Sequence, residues 1–251
     1  MLAALLFLFV VIVGYLAGSV CSAIIVSHLF SLPDPRSNGS QNPGATNVLR
    51  LSGKRYAAIV LLVDMLKGAL PVLLAKVLGA GPIALGFTCW ATVMGHMYPI
   101  FFGFRGGKGV ATALGALLGL HFILGVLVIA TWLLVANFSR YASLASMVSM
   151  VMAPWYALFL PEGLLIYSPL FFIALFIIYK HRHNITRLID HTEPKIQFRR
   201  ATSLGEEIDA VILEQAAEDQ EEPQQEATDQ PVTNHSPTES EEQAEAPKKT
   251  S

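Results

Sequence analysis

The chain has 251 residues, of which 53% are hydrophobic, and its formal net charge at pH 7 is −2. That total hides a division: residues 1–200 carry 15 Lys and Arg against five Asp and Glu (+10), whereas residues 201–251 carry two against 14 (−12). Long apolar runs in the first part, and two cysteines that lie within such runs, exclude a soluble enzyme, a nucleic-acid-binding domain and a disulfide-stapled secreted module.

The apolar residues form long segments. A membrane-spanning helix needs about 20 predominantly apolar residues. Segments near this length, and one shorter segment, occur at residues 2–27, 56–78, 82–102, 109–120, 122–137, 142–160 and 163–180. The sequence therefore predicts an all-α integral membrane protein with about seven transmembrane helices.

The distribution of Lys and Arg predicts how these helices are oriented. Short loops rich in Lys and Arg lie on the cytoplasmic side of a membrane. No basic residue precedes or interrupts the first segment, so the charged start of a signal peptide is missing, and the first basic residues follow this segment. A basic run from Lys180 to Arg200 follows the last segment. We expect a retained first helix, an external amino terminus and a cytoplasmic carboxyl terminus.

The segment between Lys108 and Arg140 is too short for two ordinary spans. If both residues lie on the cytoplasmic side, the 29 residues from Gly109 to Asn137 cross the membrane an even number of times, and two full spans need about 40 residues. We therefore expect a short, half-depth helix at 109–120 and an ordinary helix at 122–137. Half-depth backbone is tolerated only where protein shields it or where it lines a wet cavity.

The last part of the chain has a different composition. Residues 201–251 are rich in Glu, Gln, Pro and Thr and contain few large apolar side chains. Such a segment cannot bury enough apolar surface to offset the entropy of ordering. The sequence predicts a disordered, acidic, cytoplasmic tail.

The first polar loop, PDPRSNGSQNPGATNVLRLSGKR (residues 33–55), combines turn-forming residues with small polar side chains. Glycines let backbone N–H groups converge on an anion, and Ser, Thr and Asn add neutral donors. Thr46 or Asn47 is a candidate N-cap for the following helix, whose positive end would then face the loop. The loop by itself leaves open an anion site and a solvated connector.

Two further polar segments carry one basic residue each among small residues. In GFRGGKGVATALG (103–115), glycines flank Lys108, but the spacing is not that of a nucleotide-binding P-loop. A phosphate site at a helix start and a flexible hairpin both remain open. In NFSRYASLAS (137–146), Arg140 is either a phosphate clamp or an arginine at the membrane edge.

The fourth polar segment, KHRHNITRLIDHTEPK (180–195), contains both a histidine and an asparagine on one helical face. His181 and Asn184 are three residues apart, and Arg187 lies near them. A histidine and an asparagine in this arrangement can orient a hydroxyl group and accept its proton. This pattern is more specific than the charged helix end that surrounds it.

Three ionisable residues lie within the apolar segments. Asp64 and Lys67 are three residues apart; they either form a structural pair, because isolated charge in hydrocarbon is costly, or face the substrate. His96 lies beside the GGKG sequence, and a structural and a site role are equally compatible with it. Together, the four polar segments predict a polyanion site next to an apolar interior, which suits a substrate with a phosphate head and a fatty chain.

Five segments carry a family resemblance: GSVCSAIIVSHLF, NGSQNPGATNVLR, GFRGGKGVATALG, SRYASLAS and HRHNITRLIDHTEPK. In this order, over about residues 14–197, they resemble the bacterial acyl-phosphate:glycerol-3-phosphate acyltransferases called PlsY. NPGATNVLR together with GGKGVATALG is the most specific part. Two departures are visible: Gln41 replaces a glycine, and Cys21 stands where a proline is usual. Neither removes a charged or hydroxyl side chain, so we expect activity to be retained. The acidic tail lies outside the resemblance.

The resemblance implies that residues 1–200 form a membrane-embedded acyltransferase domain in the bacterial cytoplasmic (inner) membrane, with its active site on the cytoplasmic side. It would transfer a fatty acyl group from acyl phosphate to the 1-hydroxyl of glycerol 3-phosphate, producing 1-acyl-glycerol 3-phosphate (lysophosphatidic acid) and phosphate for phospholipid synthesis. Its partners would be these two substrates, membrane lipids, an upstream enzyme that forms acyl phosphate and a downstream lysophosphatidate acyltransferase, without nucleic acid.

No cofactor is expected, and no metal, because no Cys, His and carboxylate cluster has ligand spacing. The alternative function is a phosphate or organophosphate transporter. Transporters usually have paired broken helices in two related halves. The sequence shows no such repeat, and the polar motifs face one side only.

The resemblance also assigns site residues. The catalytic candidates are His181, Asn184 and Lys108. The substrate-binding candidates are Ser40, Asn42, Gly44, Thr46, Asn47, Arg50, Gly106, Gly107, Thr112, Arg140, Ser143 and Arg187. Arg50 and Lys108 would hold glycerol 3-phosphate, while Ser40, Ser143 and amides of the glycine loop (residues 103–109) would hold acyl phosphate.

The chemistry of an acyl phosphate fits this set of site residues. It is a mixed anhydride with a good leaving group, so the reaction requires no covalent enzyme intermediate. The two cysteines lie in apolar runs and are poor candidates for a nucleophile. The H-x-x-x-x-D signature of other glycerophosphate acyltransferases is absent. We therefore expect direct attack, with cationic side chains stabilising the oxyanion and the leaving phosphate. The base is either His181 or the phosphate of the substrate itself.

Overall fold

The computed structural model describes residues 1–196, and within this part of the chain all regular structure is helical. The helices are α1 (Leu2–Gly18), α2 (Ser22–Leu29), α3 (Ala45–Ser52), α4 (Lys54–Val77), α5 (Pro82–Met97), a 3₁₀ turn (Ile100–Phe102), α6 (Val110–Leu120), α7 (Phe122–Ser139), α8 (Ala142–Ala157), α9 (Gly163–Lys180) and α10 (Arg182–Ile189). The prediction of an all-α fold is confirmed for these residues. The predicted tail lies outside them.

Each of the seven predicted apolar segments contains a helix, but the first segment is not one continuous helix. It divides into α1 and α2 at residues 19–21. The break exposes the carbonyl oxygen of Val20, which accepts a hydrogen bond of 2.6 Å from Nζ of Lys67 on α4. A continuous helix over 2–27 was therefore wrong, because a tertiary contact satisfies a backbone group that the break leaves unpaired. The third segment is also shorter than predicted, since α5 ends at Met97.

Four stretches in the described part are long and apolar enough to cross a membrane: Leu2–Leu29, Lys54–Val77, Phe122–Ser139 and Gly163–Lys180. Large apolar side chains on their outer faces are exposed, among them Leu62, Leu133, Leu134 and Phe171. In water such a surface would be costly, whereas lipid chains cover it without loss. The chain is therefore a multi-pass integral membrane protein.

Helix α6 is short, as predicted. Its 11 residues span roughly 16 Å at 1.5 Å per residue, which is about half the thickness of a bilayer core. An extended residue, His121, separates it from α7, which has 18 residues. The predicted division of residues 109–137 into a short and an ordinary helix therefore agrees with the helix bounds.

Close packing of α4 and α6 depends on glycine. A Cβ atom on Gly68 would overlap the carbonyl oxygen of Thr112, and a Cβ atom on Gly115 would overlap that of Met65. Helices in membranes associate through such contacts, because small residues let two backbones approach closely. This crossing places the start of α6 next to the middle of α4.

A second pair, α1 and α5, is packed in the same way. Gly18 lies against the backbone of Thr92, and Gly95 lies against the carbonyl oxygen of Tyr15. The main apolar core is built from helices α4 to α9, with Leu117, Leu124, Met150, Leu170 and Ile177 almost fully buried. These contacts fix the helix ends from which the polar segments extend.

We expect Gly115→Val to lower the melting temperature of the detergent-purified protein by several degrees. The valine side chain would overlap the Met65 carbonyl and force α4 and α6 apart, and overpacking of this kind typically costs about 1–3 kcal/mol. Gly81→Ala is the matched control, because a Cβ atom there meets open space. Equal melting temperatures for the two variants would contradict the account of this crossing.

Candidate active site

A cavity of about 340 Å³ lies where the four polar segments meet. Its wall includes the first polar loop and α3, the start of α6, the start of α8, and α10 with the residues that follow. Eleven of the 15 predicted site residues line it: Ser40, Asn42, Gly44, Thr46, Asn47, Arg50, Lys108, Ser143, His181, Asn184 and Arg187. The fold thus brings together residues that are far apart in the sequence.

Four predicted residues do not belong to the cavity wall. Gly106 and Gly107 pack against His96, and Thr112 is fully buried near the start of α6. Arg140 is the C-cap of α7, and its carbonyl oxygen accepts a hydrogen bond of 2.6 Å from the backbone N–H of Ile196. The substrate-binding roles of these four residues stay predictions.

Asn47 organises the first polar loop. Its Oδ1 accepts a hydrogen bond of 2.9 Å from the N–H of Ser40, and its Nδ2 donates bonds of 3.0 Å to the carbonyl oxygens of Pro35 and Asn38. The side chain is almost completely buried. Gly39 has a φ of 63° and lies so close to Oδ1 that a Cβ atom would overlap it. The asparagine therefore fixes the loop that carries Ser40.

Three helix starts face the cavity. Residues 44–46, 109–111 and 142–143 line it, at the beginnings of α3, α6 and α8. The N-cap residues Gly44, Gly109 and Tyr141 make no side-chain capping bond. The N-cap predicted at Thr46 or Asn47 was wrong, because α3 already begins at Ala45. Uncapped first-turn N–H groups and the positive end of the helix dipole together favour an anion.

A chain of polar contacts crosses the cavity. Nζ of Lys108 donates a hydrogen bond to Oδ1 of Asn184, and Nδ2 of Asn184 donates one of 2.7 Å to Glu193. The second carboxylate oxygen of Glu193 accepts a bond of 2.7 Å from Nε of Arg187. Asn184 therefore lies between an ammonium group and a carboxylate, which fixes the orientation of its amide.

The surroundings of Lys108 make its ammonium group easier to deprotonate. Burial is the largest cause, and together with repulsion from Arg187 and Arg50 it lowers the pKa of Lys108 to about 8, although the attraction of Glu193 acts in the opposite direction. Asp64, also on the wall, is already paired with Lys67 at 2.7 Å. Cationic groups therefore exceed the remaining carboxylate in the cavity, which is the electrostatic condition for binding phosphate.

Glu193 is the carboxylate that balances part of this charge. Burial alone would raise its pKa, but the neighbouring Ser143 hydroxyl and the hydrogen bonds from Asn184 and Arg187 outweigh burial and keep the pKa below its ordinary value. Glu193 therefore stays ionised at neutral pH and joins the segment after α10 to Asn184 and Arg187 on that helix.

His181 has a defined tautomer. Its Nδ1 lies 2.7 Å from the carbonyl oxygen of Ile177, and since a carbonyl can only accept, Nδ1 carries the proton and Nε2 has a lone pair. Burial and the nearby charge of Lys108 lower the pKa of His181 to about 4. The imidazole is therefore neutral at pH 7 and able to accept a proton.

The remaining wall is apolar. Leu61, Met65, Leu114, Ile129 and Trp132 line it, from helices α4, α6 and α7. The indole N–H of Trp132 donates a hydrogen bond of 3.1 Å to Oγ of Ser146 on α8. A group that binds here therefore meets polar donors at one end and hydrocarbon at the other.

Sequence reasoning left several wall residues without a site role. Glu193 lies in HTEPK at the end of the fourth polar segment, and its negative charge in this basic segment was the available signal. The predicted Asp64–Lys67 pair is confirmed, yet Asp64 and His96 also line the cavity. Trp132 and Ser146 had no distinguishing signal in their apolar surroundings.

The chain belongs to the glycerol-3-phosphate acyltransferase family, since residues 8–191 match the model of that family. A glycerol-3-phosphate acyltransferase of Legionella pneumophila (strain Corby) is 58% identical over 244 residues, which cover 97% of this chain and 86% of the relative. The one of Pseudoalteromonas translucida is 50% identical over 80% of this chain and 96% of the relative. The Legionella alignment therefore extends into the acidic tail.

Two solved structures are similar to this chain. The crystal structure of PlsY (YgiH), an integral membrane glycerol 3-phosphate acyltransferase, in its glycerol 3-phosphate form has a TM-score of 0.72 and 40% identity, covering 76% of this chain and 96% of the other. The lysophosphatidic acid form of that protein has a TM-score of 0.70 and 39% identity over 76% and 95%.

We expect Asn47→Ala to loosen the first polar loop. The variant would leave the N–H of Ser40 and two carbonyl oxygens without their partner, and each unsatisfied buried group costs about 1–3 kcal/mol. Hydrogen exchange of residues 35–44 should become at least tenfold faster, an expected factor equivalent to roughly 1.4 kcal/mol of local opening.

Ser37→Ala is the control for this measurement. The Ser37 hydroxyl is exposed and bonds only within its own turn in the described structure, at 3.3 Å to the carbonyl oxygen of Asp34 and 3.1 Å from Asn38. Its exchange should match that of the unmodified protein. Equal exchange in both variants would show that Asn47 does not hold the loop.

Proposed function

We propose that this chain is a membrane acyltransferase that moves a fatty acyl group from acyl phosphate to the 1-hydroxyl of glycerol 3-phosphate, giving lysophosphatidic acid and phosphate. The observation that carries the proposal is one cavity in which three helix starts and the side chains of Arg50, Lys108 and Arg187 meet an apolar wall. Membership of the family supports the acceptor and the reaction class.

The two phosphorylated substrates would use different parts of the cavity. Arg50 and Lys108 hold the phosphate of glycerol 3-phosphate. Ser40 and Ser143 hold the phosphate of the acyl phosphate, whose fatty chain lies along the apolar wall. Of the glycine-loop amides predicted for this role, the N–H of Gly107 already donates to the carbonyl oxygen of His96. Lys108 then exchanges Asn184 for the phosphate, which leaves Oδ1 of Asn184 able to accept a hydrogen bond from the 1-hydroxyl.

The transfer itself is a direct attack. The 1-hydroxyl oxygen of glycerol 3-phosphate forms a bond to the acyl carbon, the bond from that carbon to the phosphate oxygen breaks, and inorganic phosphate leaves. Cationic groups and helix-start N–H groups stabilise the oxyanion and the leaving phosphate, which suits a poorly hydrated site. The hydroxyl proton passes to Nε2 of His181 or to the phosphate of the substrate.

The charges of the substrates favour His181 in this role. A pKa of about 4 makes His181 by itself a weak base. Two bound phosphate groups add several negative charges near the imidazole, and nearby negative charge raises the pKa of a histidine. Substrate binding would therefore bring the basicity of His181 closer to what proton transfer at neutral pH requires.

The arrangement in the membrane belongs to the same proposal. We retain about seven transmembrane helices with α6 at half depth, an external amino terminus and a cytoplasmic carboxyl terminus. The enzyme would lie in the bacterial cytoplasmic membrane, with the cavity open to the cytoplasm. Residues 1–200 would form the acyltransferase domain and residues 201–251 an acidic tail. An enzyme that forms acyl phosphate supplies the donor, and a lysophosphatidate acyltransferase consumes the product.

The test incubates the purified protein with acyl phosphate and glycerol 3-phosphate and detects lysophosphatidic acid by mass spectrometry. Matched reactions contain acyl-CoA or acyl carrier protein as the donor. We expect lysophosphatidic acid when the donor is acyl phosphate and none when it is acyl-CoA or acyl carrier protein. Product only from acyl-CoA or acyl carrier protein would refute the donor, and uptake of phosphate without acyl transfer would favour the transporter.

We expect His181→Ala and Asn184→Ala each to lower kcat by about 100-fold or more, because general acid–base groups typically contribute factors of this size. Steady-state turnover with both substrates saturating is the measurement. His183→Ala is the matched control, since this exposed histidine lies on the same helix and outside the cavity wall. Near-normal turnover in both site variants would remove His181 and Asn184 from the mechanism.

The lowered pKa of Lys108 predicts an alkaline limit. Below pH 8 the ammonium is charged and attracts the phosphate, and above pH 8 it loses its proton, so kcat/KM for glycerol 3-phosphate should fall as pH rises through about 8. The arginine of Lys108→Arg keeps its charge at every pH in this range, so the fall of kcat/KM at alkaline pH should be absent in this variant. A wild-type profile that stays flat to pH 10 would contradict the role of Lys108.

A further inference from the structure

A buried ionic cluster reaches the wall of the cavity through Asp64 and His96. Oδ1 of Asp64 lies 2.7 Å from Nζ of Lys67 and accepts a hydrogen bond of 2.7 Å from Oγ of Ser22. Lys67 also donates to the carbonyl oxygen of Val20. Asp64 and Lys67 are both buried, so their charges are retained only because each has partners.

His96 is the third member of this cluster. Its Nδ1 lies 3.5 Å from Oδ1 of Asp64, beyond a well-formed hydrogen bond, and has no hydrogen-bond partner within residues 1–196. A carboxylate oxygen opposite a ring nitrogen requires a proton on that nitrogen, since otherwise two lone pairs would face each other. The carboxylate of Asp64 therefore favours the tautomer that carries the proton on Nδ1, with this nitrogen facing Asp64.

The other side of His96 supports the glycine loop. The N–H of Gly107 donates a hydrogen bond of 3.2 Å to the carbonyl oxygen of His96. A Cβ atom on Gly107 would overlap Nε2 of the His96 ring, and one on Gly106 would overlap the His96 carbonyl oxygen. The loop therefore rests on both the ring and the backbone of His96, immediately before Lys108.

The cluster is more than a device for joining helices. A structural Asp64–Lys67 pair requires neither a histidine nor a position on the cavity wall, yet Asp64 and His96 both line the cavity. The proposed mechanism assigns neither of them a contact with a reacting atom. Their connection to the site runs through the glycine loop.

We infer that Asp64 and His96 are positioning residues that hold the glycine loop, and through it Lys108, at the glycerol 3-phosphate site. This inference rests on the proposed function. Loss of the orientation of His96 would displace Lys108 from the phosphate of glycerol 3-phosphate, while Ser40 and Ser143, on other elements, would still hold acyl phosphate. The two KM values should therefore respond differently.

His96→Gln and Asp64→Asn test this inference by steady-state kinetics. Each should raise KM for glycerol 3-phosphate about tenfold or more, since displacement of a positioning contact by an ångström has effects of this order, and leave KM for acyl phosphate within about twofold. Thr92→Val is the matched control on α5, because its buried hydroxyl bonds only to Thr88 of the same helix in the described structure. Both of its KM values should be unchanged.

A second readout does not depend on turnover. Hydrogen exchange of residues 104–109 in the resting protein should be faster in His96→Gln and Asp64→Asn than in the unmodified protein and in Thr92→Val. If Asp64→Asn does not fold, the double variant Asp64→Asn, Lys67→Met removes both charges of the pair and is measured in its place.

The outcomes separate the inference from the proposed function. Wild-type turnover with unchanged KM values and unchanged loop exchange in the variants would overturn the inference alone. Equal increases of both KM values would also overturn it, since they indicate a general structural role. If the unmodified protein itself produced no lysophosphatidic acid while the loop exchanged faster in the variants, the proposed function would be refuted and the positioning role supported.

Discussion

The cost of placing charge next to hydrocarbon governs this structure. A phosphate-binding site needs several positive groups, and an apolar interior accepts such groups only where each has a partner or reaches water. The protein meets this requirement by collecting its polar segments at one end of the helices. There Glu193, Asn184 and the helix starts surround the cationic side chains, and an apolar wall lies beside them.

Glycine and asparagine make this collection possible. Gly68 and Gly115 let α4 and α6 approach backbone to backbone, which places the start of α6 beside the cavity. Asn47 shapes the loop that presents Ser40, and its hydrogen bonds all end on backbone groups of that loop. Close packing thus supplies the geometry, and the charged residues supply the positive potential on which the proposed phosphate binding depends.

Much of this arrangement was predictable from the sequence, for physical reasons. The apolar segments identified the long helices, and the short length of α6 followed from the number of residues between Lys108 and Arg140. The break between α1 and α2 was missed, because a hydrogen bond from Lys67, 47 residues away, satisfies the freed carbonyl. Cys21 is the N-cap of α2, so the helix is interrupted there without a proline.

The site shows the same limit. The glycines of the GGKG sequence indicated N–H donors for phosphate, but Gly106 and Gly107 pack on His96 and do not line the cavity. No role was predicted for Glu193, and a carboxylate in a polyanion site is favourable only where it is paired. Only the folded structure shows that Asn184 and Arg187 pair with it. The local sequence identifies candidate binding residues, while tertiary contacts decide which of their atoms remain available to a ligand.

The central claim is that one cavity brings both substrates together for direct transfer, without an acyl-enzyme. Phosphate release within the first turnover tests this most directly, with purified protein and acyl phosphate in the absence and presence of glycerol 3-phosphate. The account predicts no phosphate burst with acyl phosphate alone, and one phosphate for each lysophosphatidic acid when both substrates are present. A burst of one phosphate per protein molecule without glycerol 3-phosphate would contradict it, since that is the signature of a covalent intermediate.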